Sequence, residues 1–171
     1  EQKPEEPEQP EVEVNEELEY WTKEANKSTI AFVKHFWNKD QKYFNSIMNQ
    51  DTPEDDWAYW PQAHAMDIVI DAYARTKDKA WKSYFDAWYV GVRQKTNWES
   101  FIKEDKNCNY NYDNDFVDDM EWICLTMIRL YEHTSDNKYI NTATELWHII
   151  KRDWNEQYSG GGISWKQSEP Q

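Results

Sequence analysis

Asp118 and Asp119 stand side by side in the run 114–122, NDFVDDMEW, where a polar loop turns into an apolar helical pattern. Enzymes that hydrolyse glycosidic bonds generally use a pair of carboxyl groups. Aromatic rings nearby could stack on the apolar faces of sugars. Aspartate also favours the first turn of any helix, because the helix dipole stabilises its charge. The pair therefore predicts either a hydrolytic site or an ordinary helix start.

Glycoside hydrolysis needs the two carboxyl groups in different protonation states. A position in the first helical turn stabilises an anion and suits a nucleophile, whereas a general acid needs burial or a neighbouring negative charge. A separation of about 5–5.5 Å between the carboxyl groups would predict retention of configuration, and a wider one inversion. Asn114 or Asp115 is predicted to cap this helix.

Two further segments resemble the first in lying next to a long loop or a turn. The segment 59–67, YWPQAHAMD, offers Gln62 and His64 to sugar hydroxyls, although a lone histidine at a helix start is more often structural. The segment 160–165, GGGISW, contains three of the four glycines, which allow a backbone to approach a ligand closely. The segment 160–165 is therefore predicted to form either part of a sugar subsite or a helix C-cap followed by a loop. The substrate-binding candidates at these junctions are Trp60, Gln62, His64, Asn114, Trp122, Gly161, Gly162 and Trp165.

The composition narrows the class of ligand. Aromatic residues form 16% of the chain, with 11 Trp and 11 Tyr but only 6 Phe, a bias towards rings that also carry a polar group. The net charge is −14, and the first nineteen residues supply nine Glu against one Lys. No basic cluster stands out, which argues against a nucleic-acid partner. A neutral or cationic substrate fits this charge better than an acidic polysaccharide.

Metal and cofactor chemistry is not predicted. The sequence has no HExxH, CxxC, GxSxG or P-loop motif, and its four histidines are dispersed. Asp67 and Asp71 are spaced to hold a metal, but a hydrogen-bonded polar flank is the favoured interpretation. Cys124 is predicted to be a buried thiol and Cys108 lies in a polar loop, so a disulfide between them stays open. No apolar run reaches the length of a membrane span.

The pattern of apolar residues predicts an all-α chain. Helices are predicted over residues 16–38, 61–76, 78–95, 116–134 and 136–155, with Leu18 and Trp21 on the apolar face of the first. Short links join the second helix to the third and the fourth to the fifth, while long loops precede the second and the fourth. Long loops in a compact domain are usually functional, so a helical hairpin array with one working face is predicted. No strand is predicted beyond a few residues around Ile163.

Residues 1–15, EQKPEEPEQPEVEVN, form a separate acidic segment rich in Pro and Glu that cannot bury enough apolar surface to fold. It is predicted to be a disordered tether ahead of a folded domain over residues 16–171. The tether resembles the segment that follows the lipidated cysteine of surface lipoproteins in Bacteroides-type bacteria. A lipid anchor upstream of residue 1, and a secreted or outer-surface location in a bacterium, are the corresponding expectations.

The segments WPQAHAMD (60–67), NDFVDDMEW (114–122) and GGGISW (160–165), in this order, resemble glycoside hydrolase family 76, the endo-α-1,6-mannanases. The resemblance implies an (α/α)6 barrel that hydrolyses α-1,6-mannan with retention. It further implies that Asp118 is the nucleophile and Asp119 the general acid/base, with the glycine-rich segment in the sugar-binding floor and α-mannan as the partner.

About five helices are predicted, whereas twelve helices of average length with their loops need at least ~190 residues. The chain is therefore expected to cover about the first half of such a barrel. Uncovered apolar helix faces would favour oligomers. The fragment is expected to be weakly active or inactive, because the subsites that the other half supplies are lost. Two alternatives remain: a non-catalytic surface glycan-binding lipoprotein, and a different (α/α)6 enzyme such as an unsaturated glucuronyl hydrolase.

Overall fold

The computed structural model describes residues 15–48, 59–95, 115–157 and 160–168. Within these ranges the chain is mainly helical, as the apolar pattern predicts. The helices are α1 (Glu16–Phe36), α2 (Tyr59–Thr76), α3 (Lys82–Lys95), α4 (Val117–Thr134) and α5 (Asn137–Ile150). Short 3-10 turns, Lys79–Trp81 and Lys151–Asp153, precede α3 and follow α5. The predicted tether lies outside the described residues except for Asn15.

Polar side chains set the helix ends. Asn15 caps α1 by accepting a hydrogen bond from the amide of Leu18 at 3.0 Å, and Asp136 caps α5 through the amide of Lys138 at 3.1 Å. Ser135 adopts a left-handed conformation (φ 58°) and ends α4 by donating its amide to the carbonyl of Tyr131. The fifth helix ends earlier than predicted, because the chain turns into a strand after Asp153.

Two short antiparallel hairpins follow α1 and α5. The first hairpin pairs β1 (Trp37–Asn38) with β2 (Tyr43–Phe44), and the second hairpin pairs β3 (Trp154–Asn155) with β4 (Gly162–Ile163). The sequence prediction of strand around Ile163 alone was therefore incomplete. Ladders of two residues are too short to show the alternation of apolar and polar residues by which strands are recognised.

Helix α4 lies at the centre of the described fold and packs against both α2 and α5. Its inward positions are filled by large apolar side chains that are fully buried, namely Met120, Ile123, Met127 and Leu130. Leu18 and Trp21 are exposed, so their predicted assignment to the buried face of α1 was wrong. The start of α1 makes few packing contacts, whereas Thr29 and Val33 further along are buried.

Cys124 is a buried free thiol on α4 whose Sγ lies 3.4 Å from the carbonyl oxygen of Ala143. Burial raises its pKa to about 11, which keeps the thiol protonated and unreactive near neutral pH. Cys108 lies outside the described residues.

An apolar groove of about 450 Å³ runs between α4 and α5, next to Cys124. Leu125 and Trp147 line it and are half-exposed. Among the described helices, none combines the length and the apolar character that a membrane crossing requires.

Candidate functional site

The acidic pair lies in the first turn of α4, and both side chains are half-buried. Oδ1 of Asp118 is buried and has no hydrogen-bond partner among the described residues. Asp118 also forms no ion pair with a described lysine or arginine. A buried carboxylate oxygen without a partner is costly unless the helix dipole, a proton or a ligand hydroxyl compensates for it. The environment of Asp118 therefore suits a group that reacts more than one that only caps a helix.

Helix α4 begins without the predicted side-chain cap. Phe116 occupies the cap position and makes no side-chain hydrogen bond to the helix, so the assignment of Asp115 as cap was wrong. Asn114, the alternative cap and a substrate-binding candidate, lies outside the described residues. The first helical amide, that of Val117, instead donates to the carbonyl of Trp165 at 2.9 Å. A segment from the other end of the chain thus completes the start of the acid-bearing helix.

That segment, residues 164–168, is called the strap. It pairs with the residues before α4 through an antiparallel bridge between Phe116 and Lys166, and the amide of Gln167 donates to the carbonyl of Asp115 at 2.9 Å. The Asp115 carboxylate accepts two further hydrogen bonds, both 2.8 Å long, from the amide and the hydroxyl of Ser168. Sequence reasoning missed this role of Asp115 and Ser168, because no local pattern links residues so far apart.

The strap presents Trp165 beside the acidic turn. Trp165 is 64% exposed, and its ring meets the ring of Phe116 at 5.3 Å between centroids. The Lys166 ammonium lies 5.1 Å from the centre of the Phe116 ring and 5.4 Å from that of Trp165. An exposed ring held in this way offers a flat face of the kind that sugars stack upon.

The glycine-rich turn ahead of the strap is required by the backbone. Gly160 and Gly161 have positive φ values of 78° and 113°. A Cβ on Gly161 would stand 2.6 Å from the Trp154 ring, so the turn lies flat on that ring. Gly162 belongs to β4 and a Cβ there would meet nothing within 4 Å. The glycines therefore shape the turn, and the alternative prediction of a helix C-cap is not what the structure has.

A second group of rings joins the starts of α2 and α4. The His64 ring lies 4.6 Å from that of Trp122 and 5.6 Å from that of Trp60, between ring centroids. Trp60 and Trp122 are 46% and 42% exposed. Asp118 and Trp122 are four residues apart on α4 and so share one helix face. The structure thus brings three of the substrate-binding candidates together on the side of α4 that carries Asp118.

Gln62 has a different role from the predicted one. It is only 3% exposed, and its amide group accepts from the amide of Phe44 at 3.0 Å while donating to the carbonyl of Phe44 at 2.6 Å. Both ends of the side-chain amide are therefore used to hold the first hairpin against α2. Because Gln62 is buried and both ends of its amide bind Phe44, the structure favours a structural role over a contact with a sugar hydroxyl.

Asp67 and Asp71 form the hydrogen-bonded flank that the sequence favoured over a metal site. Both pair with Arg129 across the α2–α4 interface, with 2.8 Å between Arg129 Nη1 and Asp67 Oδ1. Burial raises the pKa of Asp67, and the charge of Arg129 opposes that rise. Within the described ranges no group of three or more potential metal-ligating side chains comes together.

Glu121 is a third carboxyl group near the pair that sequence reasoning did not single out. Burial raises its pKa, and the charge of Asp118 raises it further. The spacing of three residues between Asp118 and Glu121 was the available signal, since such residues are neighbours on a helix. Asp118 therefore shares its surroundings with two other acids, Asp119 and Glu121.

Comparison with known proteins identifies the family of this chain. The chain belongs to glycosyl hydrolase family 76, whose family model matches residues 21–171. The family is thus the one that the three sequence segments resemble. A search of the curated proteins found no similar sequence.

Similar solved structures support the same family and show the same fold. The GH76A α-1,6-mannanase from Salegentibacter sp. HEL1_6 is 27% identical, with a TM-score of 0.70 over 88% of this chain and 39% of that one. An inactive variant of that enzyme, with two consecutive aspartates replaced by alanine, is in complex with α-1,6-mannotetrose (25% identity, 88% and 39% covered, TM-score 0.71). The Lin0763 protein from Listeria innocua is 25% identical, with a TM-score of 0.66 over 86% of this chain and 40% of that one.

The chain thus spans about two-fifths of the length of these relatives. The expected fold class, the first part of an (α/α)6 barrel, is confirmed by these likenesses, as is membership of a glycoside hydrolase family. Family membership also decides against an unsaturated glucuronyl hydrolase.

Proposed function

We propose that this chain is the acid-bearing part of a retaining glycoside hydrolase that cleaves α-1,6-mannan. In this proposal Asp118 is the nucleophile and Asp119 the general acid/base. The observation that carries it is the pair itself, half-buried in the first turn of α4, with an oxygen of Asp118 left without a partner among the described residues. The loss of activity in the Salegentibacter variant that lacks two consecutive aspartates supports it.

The mechanism assigns one task to each acid. Asp119 protonates the glycosidic oxygen of the leaving sugar while the Asp118 carboxylate attacks the anomeric carbon, which forms a glycosyl ester and breaks the glycosidic bond. Asp119, now ionised, takes a proton from water. The resulting hydroxide equivalent attacks the anomeric carbon and releases Asp118, so that the configuration is retained after two inversions.

Residues around the acidic pair are proposed to bind the substrate. Trp165 on the strap, and Trp60, His64 and Trp122 at the junction of α2 with α4, are the proposed platforms for mannose rings, together with the backbone at Gly161 and Gly162. Asn114 stays a candidate for hydrogen bonding. Secretion to a bacterial surface, with a lipid anchor ahead of the acidic tether, remains part of the proposal because a mannan polysaccharide is met outside the cell.

The test replaces each acid by its amide in the full-length gene product. Asp119→Asn should lower the rate of product release from α-1,6-mannan by about 10²–10⁴-fold, the usual contribution of a positioned acid–base group. Asp118→Asn removes the nucleophile and should lower it by at least as much. Circular dichroism and thermal unfolding should stay close to those of the wild type. Turnover like that of the wild type in either variant would contradict the assignment.

The chain contains a matched control pair. Asp55 and Asp56 are also adjacent, but they precede α2 and lie outside the described residues. Their replacement by Asn should leave product release within a few-fold of the wild type. If the loss followed Asp55 and Asp56 instead, the catalytic pair would be theirs.

Azide rescue distinguishes the nucleophile from the general acid/base. The experiment uses alanine variants of the two aspartates and a substrate with an activated leaving group. In Asp119→Ala, azide replaces water in attacking the glycosyl ester, so the glycosyl azide keeps the configuration of the substrate. In Asp118→Ala, azide replaces the nucleophile and gives the inverted product. Anomeric proton NMR distinguishes these products. Binding of mannan without any cleavage would favour the alternative, a glycan-binding surface protein.

A further inference from the structure

The Asp115 carboxylate is a specific connection between the two ends of the site. It accepts from both the amide and the hydroxyl of Ser168, each at 2.8 Å. Both residues are exposed. Because the acceptor is a charged carboxylate, both bonds are stronger than bonds between neutral groups, and together they can hold the strap locally even at an exposed site. The contribution of the Asp115–Ser168 contact is therefore mainly to fix geometry.

The geometry that it fixes is that of Trp165. The backbone of the strap is held on either side of Lys166, by the Trp165 carbonyl on the amide of Val117 and by the amide of Gln167 on the carbonyl of Asp115. Asp115 closes the far end of this ladder through Ser168. Without that end, the strap keeps its bridge to Phe116, the contact between the Trp165 and Phe116 rings and the bond from the Ser164 amide to the Asp153 carbonyl, but its C-terminal end is released, so that Trp165 can shift relative to the first turn of α4.

We propose that Asp115 is a positioning residue that acts through Ser168 to hold Trp165 as a sugar platform beside the acidic turn. This rests on the proposed function for its kinetic consequences, but the contact itself is independent of it. Asp115 touches neither the reacting atoms nor the sugar. Its side chain determines where Trp165 stands with respect to Asp118 and Asp119.

The first experiment tests the contact without any substrate. Amide hydrogen exchange at Val117 reports whether the Trp165 carbonyl still accepts its hydrogen bond. Asp115→Ala should speed this exchange by about tenfold or more, and Ser168→Ala should have a smaller effect because the Ser168 amide remains a donor. Asp40→Ala, at an exposed aspartate in the turn of the first hairpin, is the matched control and should change nothing.

The second experiment tests positioning with α-1,6-mannotetraose and the full-length gene product. Asp115→Ala should raise KM and the Kd by about tenfold, the worth of one aromatic stacking contact, while kcat changes by less than about threefold. Asp115→Asn should recover most of the affinity, because its amide oxygen still accepts from Ser168. Trp165→Ala should match Asp115→Ala, and the double variant should lose nothing further, as expected for residues that act in series.

The outcomes separate this proposal from the assignment of the catalytic pair. Unchanged exchange at Val117 in Asp115→Ala, or an unchanged KM and Kd, would overturn the positioning role while leaving the hydrolase intact. Additive losses in the double variant would also overturn it, since Asp115 would then act elsewhere. A wild-type protein that binds mannotetraose without cleaving it would remove the hydrolase proposal alone, and the Kd values would still decide the role of Asp115.

Discussion

The two hairpins have similar local structures but different roles. Each follows a helix and pairs only two residues per strand. A polar side chain near the start of another helix holds the first hairpin, and a second one holds the strap that follows the second hairpin. In the first hairpin that side chain is the buried amide of Gln62, and the paired residues Tyr43 and Phe44 belong to the core. In the second hairpin region it is the exposed carboxylate of Asp115, and the strap leaves Trp165 open to solvent.

Burial explains the difference in role. The contact between Gln62 and Phe44 is buried and satisfies the backbone groups of Phe44, so the first hairpin contributes mainly to the stability of the fold. An exposed contact contributes less to global stability than a buried one, and its geometry is available for function. Substitutions in the two regions should therefore affect different properties.

The largest expected contrast is between two aromatic residues. Phe44→Ala removes a ring that stacks on Phe32 at 5.2 Å and meets Trp37 at 5.0 Å, so the free energy of unfolding should fall by about 3–5 kcal/mol. Trp165→Ala should change it by less than about 0.5 kcal/mol, because the ring is exposed. Urea unfolding measures both. Equal losses would mean that the second hairpin region is as much a part of the core as the first.

A smaller contrast comes from two glycines. Gly91 of α3 faces the turn of the first hairpin, and a Cβ there would lie 2.0 Å from the carbonyl oxygen of Lys42. Because backbone cannot move aside, Gly91→Ala should lower the free energy of unfolding by about 1–3 kcal/mol, even after the gain in helix propensity.

Gly162→Ala is the matched change in the second hairpin. A Cβ at this position meets nothing within 4 Å, and the backbone lies outside the left-handed region, so the melting temperature should stay within about 2 °C of the wild type. A tolerated Gly91→Ala would show that the turn of the first hairpin is not packed on α3.

The smallest expected effect is a change in the pKa of Glu121, which lies close to Asp118 on α4. Asp118→Asn removes a negative charge near Glu121, so the pKa of Glu121 should fall, while burial keeps it above the ordinary value. Carbon-13 NMR of the Glu121 carboxyl group against pH measures this shift, and Asp40→Asn should not produce it. An unchanged pKa would mean that Asp118 does not face Glu121.

The sign for stability follows from the same shift. Since folding raises the pKa of Glu121, its contribution to stability is fully present below the unfolded pKa and is lost as the pH rises through the folded one. Asp118→Asn should therefore reduce the loss of stability that Glu121 causes at neutral pH.

The sequence predicted those parts of the molecule that depend on neighbouring residues. The apolar spacing of Met120, Ile123 and Met127 predicted α4 and its buried face, and the adjacent aspartates were predicted at its start. The face of α1 that carries Leu18 was misassigned because apolar spacing alone does not say where packing partners end.

The long-range contacts were not predictable in this way. Gln62 was assigned to sugar because its partner, the backbone of Phe44, carries no sequence signal. The same holds for Asp115, whose partner Ser168 lies near the other end of the folded segment. Backbone groups and exposed hydroxyls accept or donate hydrogen bonds whatever the surrounding sequence, so such pairs emerge only from the fold.

The bond between the Val117 amide and the Trp165 carbonyl also sets an order for biosynthesis. Chains emerge from the ribosome from the N-terminus, so α4 is made before the residue that completes its first turn. The turn that bears Asp118 and Asp119 closes only when the strap has been synthesised and has folded back upon it. The start of the acid-bearing helix is therefore completed late, by a contact between residues that lie far apart in the chain.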